Sequence, residues 1–122
     1  ELYSYEKQYE KALNYYLEGL RIDQSNGNML NLTSDYNMIG ELYLEMDNFI
    51  DAENSFKLAL GIAEEIRSRP DIAAAAYNLG VLYKRLERWR KSREFLRKAQ
   101  EIYGVIDPLA YEEVKKEILS LP

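Results

Sequence analysis

The chain has 122 residues, 47% apolar and 30% charged, with neither cysteine nor histidine and a formal net charge of −5. That length suits one compact domain or a short repeat array, and the composition excludes a disordered, collagenous or low-complexity chain. Without Cys or His there is no disulfide framework, the preferred zinc ligands are missing, and Ser–His and Cys–His nucleophile pairs cannot form.

The first segment, Glu1-Leu2-Tyr3 onward, does not open on Met, and the chain is expected to be a piece of a longer protein. Residues 1–10 are polar and acidic rather than basic then apolar, so they do not read as a signal peptide. The longest apolar run, Ile72 to Tyr77, falls far short of the ~20 residues that span a membrane. A cytoplasmic, intracellular location is the expectation. Within residues 1–27, Tyr9, Ala12, Leu13, Tyr16, Gly19 and Leu20 recur at steps of three and four, which predicts a helix from Gln8 to Ile22.

After a break at Asn26-Gly27-Asn28, residues 28–67 hold two helical runs. Tyr36, Ile39, Gly40 and Tyr43 mark the first, and Phe49, Ala52, Phe56, Ala59, Leu60 and Ala63 the second. Residues 68–107 repeat the arrangement after Arg69-Pro70, with Ala76, Leu79, Gly80 and Tyr83, then Trp89, Ser92, Leu96, Ala99 and Ile102. Asp107-Pro108 opens a last helix over 108–122, where proline suits a first helical position. Its Glu112, Glu113, Lys115 and Lys116 supply the polar outer surface of a cap.

These segments are one unit repeated at an interval of 40 residues. Leu2, Leu42 and Leu82 share a column, as do Tyr3, Tyr43 and Tyr83, and the aromatics Tyr9, Phe49 and Trp89. Small residues recur at Ala12, Ala52 and Ser92, large apolar ones at Tyr16, Phe56 and Leu96. Gly40 and Gly80 stand one turn before Tyr43 and Tyr83. Glycine costs about 1 kcal/mol relative to alanine inside a helix, so two at one register point to a close helix approach.

The order small-x-x-Leu-Gly-x-x-Tyr followed by Ala-x-x-x-Phe resembles the tetratricopeptide repeat. Tyr36, Ile39, Gly40, Tyr43, Ala52 and Phe56 carry it in one repeat, and Ala76, Leu79, Gly80, Tyr83, Ser92 and Leu96 in the next. The family's Trp is replaced by Tyr36 and Ala76, and its closing Pro by Glu64 and Gly104. The usual repeat has about 34 residues, so this one is longer by roughly 1.7 turns, similar to the repeats of kinesin light chains and bacterial Rap-type peptide-binding regulators. The resemblance implies an all-α, right-handed α-solenoid of antiparallel helix pairs with a C-terminal capping helix. It also implies a protein- or peptide-binding scaffold. Its units would be a partial repeat at 1–27, repeats at 28–67 and 68–107, and the cap at 108–122.

Enzyme chemistry finds no support. The six glycines are scattered, no Gly-x-Ser-x-Gly elbow occurs, and Asp47-Asn48-Phe49-Ile50-Asp51 lacks the glycine and closing glutamate of a calcium loop. No catalytic residue, metal or cofactor is expected. By resemblance, first helices line a concave binding face, which implies Ser34, Asn37, Met38, Glu41, Leu44 and Glu45 on one helix and Ala74, Tyr77, Asn78, Val81, Lys84 and Arg85 on the next as its lining, with Asn37, Glu41 and Glu45, and Tyr77, Val81, Lys84 and Arg85, as partner-binding residues. Each set follows a single helical stripe. Asn78 stands where related arrays often carry an asparagine that bonds a peptide backbone; tying two helices together is its alternative role.

Residues 1–64 hold 4 basic and 12 acidic residues, whereas 84–98 hold 8 basic and 2 acidic. The basic cluster suits an acidic partner, while the acidic total argues against nucleic acid. Two other functions stay open: a sensor or regulatory segment of a larger enzyme or signalling protein, and a nucleic-acid surface at 84–98. The shortened first repeat leaves apolar surface for self-association at the N-terminal end.

Overall fold

The computed structural model describes the backbone of residues 2–122 and the side chains from residue 5 onward. The side chains of Leu2 and Tyr3, first members of two repeat columns, lie outside the described residues. Six α-helices follow one another: α1 (Leu2–Asn26), α2 (Met29–Glu45), α3 (Phe49–Glu65), α4 (Arg69–Arg85), α5 (Trp89–Ile106) and α6 (Pro108–Leu119). No strand occurs among the described residues. Each helix packs on its chain neighbours, most closely within α2/α3 and α4/α5, and α2 also touches α4. This is an all-α solenoid of helix pairs.

The same joint recurs every 20 residues. Gly27, Asp47, Arg67 and Glu87 adopt positive φ, between 57° and 65°. After each, the next N–H returns to a carbonyl five residues back, as Asn48 N to Tyr43 O (2.8 Å) and Arg88 N to Tyr83 O (2.9 Å), while Asp47 N and Glu87 N reach Leu44 O and Lys84 O. This is the Schellman closure of a helix C-terminus, which satisfies carbonyls that the helix leaves open. The joint before α6 differs. Asp107 precedes Pro108, whose ring disfavours helical backbone in the residue before it, and it is extended at φ −153°. Its carboxylate caps the helix by accepting from Ala110 N at 3.1 Å.

The first repeat departs from expectation. The 40-residue register puts Lys7 where Asp47 and Glu87 turn, yet α1 runs unbroken from Leu2 to Asn26. A left-handed non-glycine residue costs roughly 1–2 kcal/mol, offset at 47 and 87 by packing of the helices on both sides. Residues 2–6 span less than two turns, too short a stretch to form a separate helix before such a joint. Along α1, Ala12, Leu13, Tyr16 and Leu20 are only half-buried, and Tyr5, Tyr15 and Ile22 are exposed.

Between paired helices the glycine columns do what their register suggests. A Cβ on Gly40 would stand 2.5 Å from the Phe56 ring, and one on Gly80 would stand 2.6 Å from Leu96 Cγ. Thr33 Oγ1 donates to Ala59 O (2.9 Å) and Ser92 Oγ to Gly80 O (2.8 Å), so both buried hydroxyls are satisfied by backbone. Helix α4 packs against α2, α3 and α5, which explains its small side chains: Ala73, Ala75 and Ala76 are fully buried. Leu44, Ala52, Phe56, Leu79, Leu82 and Tyr83 form the central core, and Ala76, Leu96, Ala99 and Val114 a second one beneath α6.

Candidate functional site

The contact of α2 with α4 opens a groove of about 420 Å³ on the face where first helices adjoin. Helix α2 lines it with Ser34, Asn37, Met38 and Glu41, and α4 with Asp71, Ala74, Tyr77 and Asn78. Tyr103 of α5 and Glu113 of α6 complete it. Of the expected partner-binding residues, Asn37, Glu41, Tyr77 and Asn78 line the groove, together with Ser34, Met38 and Ala74 of the expected concave face.

At its centre, Asn78 Nδ2 donates to Asn37 Oδ1 at 3.3 Å, linking α4 to α2. Asn37 is only 7% exposed. The bond uses one donor of Asn78 and the acceptor of Asn37. Among the described residues, the amide nitrogen of Asn37 and the Asn78 oxygen form no hydrogen bond with another side chain or with backbone. Tyr77 and Tyr103 pack together with the Ala76, Leu96, Ala99 and Val114 core. Burial pushes both phenols above the ordinary tyrosine range, and nearby carboxylates push them the same way: Glu117 and Glu113 for Tyr77, Asp107, Asp71 and Glu113 for Tyr103. Both are neutral donors at physiological pH. Burial, then repulsion from Glu45, raises the Glu41 carboxyl above its usual range.

The other four expected residues lie elsewhere. Val81 packs against the central core. Lys84 bonds Glu117 of α6 at 3.3 Å and donates to Ser120 Oγ at 2.8 Å, which ties the last helix to α4. Arg85 pairs with Asp47 at 2.8 Å and lies 5.4 Å over the Phe49 ring, joining α4 to the α2/α3 turn. Glu45 lines a separate depression with Tyr5, Tyr9 and Met46. The last turn of α4 is thus held away from the groove by carboxylates of α6 and of the α2/α3 turn.

Three more residues of the basic cluster are engaged in the same way. Lys91 sits 5.1 Å over the Tyr83 ring, Arg93 donates to Pro122 O at 2.9 Å, and Lys98 pairs with Glu64 at 2.9 Å. Among the described residues, no three His, Cys, Asp or Glu side chains converge closely enough to hold a metal ion. None of the described helices is long and apolar enough to cross a membrane.

Sequence reasoning missed Asp71, Tyr103 and Glu113. Asp71 was within reach, since stepping back from Asn78 by four and seven residues gives Ala74 and Asp71 on the same face. Tyr103 and Glu113 lie on other helices and share no spacing with α2 or α4.

A tetratricopeptide-repeat family model matches residues 30–104, more than half of the chain, and a second model of the same description matches residues 1–26. The chain belongs to the tetratricopeptide repeat family. Members of this family generally serve as protein–protein interaction modules. No curated protein gives a significant match.

Proposed function

We propose that this tetratricopeptide domain recognises an extended peptide segment of a partner protein, laid across α2 and α4 in the groove. The observation that carries the reading is the Asn37–Asn78 pair. It leaves three amide N–H donors, two on Asn37 and one on Asn78, and the Asn78 acceptor, groups that can meet a peptide bond's C=O and N–H. Asn37 is held in place by burial, so little freedom is lost when it engages a ligand. Binding of this kind reads backbone and leaves side-chain choice to the groove walls.

The test is selection from a displayed random-peptide library, followed by affinity measurement on the selected peptides. Asn78→Ala is expected to weaken them by about five- to tenfold, the loss of one hydrogen bond at a partly buried site. Lys57→Ala, an exposed change on α3 that does not line the groove, should leave affinity unchanged. Equal binding by wild type and Asn78→Ala would refute the groove reading.

A further inference from the structure

We propose that the groove selects an arginine side chain, its guanidinium held among the carboxylates of Asp71 and Glu113 and the rings of Tyr77 and Tyr103. This deepens, and rests on, the peptide-binding reading above.

The first ground is charge. The lining residues include Glu41, Asp71 and Glu113 and no lysine or arginine. None of the three carboxylates belongs to an ion pair among the described residues, although Glu117, Asp47 and Glu64 nearby all do. Asp71 receives only the Ser68 hydroxyl, at 2.6 Å. The neighbouring cations, Lys84 and Arg85, are already committed to Glu117 and Asp47. An acidic surface alone would be ordinary solvated helix, but this one encloses Asn37, more than nine-tenths buried and with its amide nitrogen spare. That donor opens onto the groove and can meet an acceptor such as a peptide carbonyl.

The second ground is the kind of cation. The carboxylates are spread over α2, α4 and α6 and do not gather tightly enough for a metal ion. A spread anionic site flanked by aromatic faces suits a planar, delocalised cation that donates in several directions while stacking on a ring. Tyr77 and Tyr103 line the groove from one apolar platform, and both hydroxyls lie in the field of Glu113. Arginine meets these conditions better than lysine, whose ammonium is compact and more strongly hydrated. A peptide carrying it would place its backbone on the asparagine pair and its side chain toward α6.

The experiment is an amide NMR titration of the whole chain with acetyl-Ala-Ala-Arg-Ala-Ala-amide and with the same peptide carrying citrulline, the neutral isostere. We expect both peptides to shift the Asn37 and Asn78 side-chain amides. The arginine peptide should bind about tenfold more tightly, the preference shrinking at high salt. Glu113→Gln, an exposed change on α6, should bring the two peptides within about twofold of each other. If both peptides shift the groove with equal affinity, or if Glu113→Gln leaves the preference untouched, the arginine assignment falls and the groove reading survives. If neither peptide perturbs Asn37 or Asn78, both fall.

Discussion

Leu96 occupies the space beside Gly80 so fully that a Cβ on Gly80 would stand 2.6 Å from its Cγ and 3.2 Å from its backbone nitrogen. Gly80→Ala should therefore destabilise the fold by about 1–3 kcal/mol, as overpacking commonly does. Gly61, on α3, has nothing within 4 Å of its notional Cβ, so Gly61→Ala should stabilise by about 0.5–1 kcal/mol through helix propensity alone. Urea unfolding of the two variants should move in opposite directions. A Gly80→Ala protein as stable as wild type would refute the helix pairing.

The left-handed joints make a second prediction. Glu87 turns at φ 58° with an exposed side chain, so Glu87→Gly should raise stability by up to about 1 kcal/mol. Lys7 holds the equivalent register inside continuous α1, where Lys7→Gly should cost about 1 kcal/mol. The same substitution at one register thus has opposite signs in thermal unfolding. A stabilising effect at Lys7 would mean that the first repeat turns there after all.

A third concerns pH. Asp35, with one oxygen buried and unpartnered, has its carboxyl raised to about 6 by burial and by Asp23. A raised carboxyl contributes stability that is fully present below its unfolded value of about 4 and is lost as pH rises through about 6. Of the groups around it, Asp23 comes from α1 and receives the amide of Asn31. Asp35→Asn should accordingly be more stable than wild type at pH 7 and lose that advantage near pH 4. Parallel stability–pH curves would contradict the assignment.

Glu53 behaves oppositely. The Tyr83 hydroxyl donates to its carboxylate and, aided by Lys57 and Arg88, holds its pKa below the ordinary value. Stability from this contact is present above the unfolded carboxylate range and lost as pH falls through the folded value. Tyr83→Phe should show its largest deficit at neutral pH and a smaller one at pH 3. A deficit independent of pH would assign the effect to packing alone.

The apolar side chains left open along α1 carry the expectation of self-association. Sedimentation should show mass rising with concentration, and a Tyr15→Ser, Ile22→Ser variant should stay monomeric. A wild type that is monomeric at high concentration would remove that expectation.

What the sequence made legible is what repeats. Gly40 and Gly80, Phe56 and Leu96, and the aromatic columns are imposed by contacts that recur in every helix pair, so their spacing shows directly. Asn78 was legible as a candidate, but its bond to Asn37 was one of two roles, and spacing cannot choose between them. Lys84 and Arg85 kept the stripe's spacing and still left the groove, because their partners Glu117 and Asp47 lie 33 and 38 residues away. Tyr103 and Glu113 reach the groove only through the stacking of successive pairs. Such contacts leave no period behind.

The joints at Gly27, Asp47, Arg67 and Glu87 close on hydrogen bonds that span only a few residues, so each is an autonomous local signal. Phase, not the joints, is then what the array must conserve. One residue inserted within α4 would turn everything beyond it by about 100° and carry Asn78 away from Asn37, though every joint still formed. Copying residues 28–67 whole would leave every contact angle intact and lengthen the groove by one more first helix. The face formed by the first helices can therefore grow in steps of 40 residues with every joint and contact angle kept.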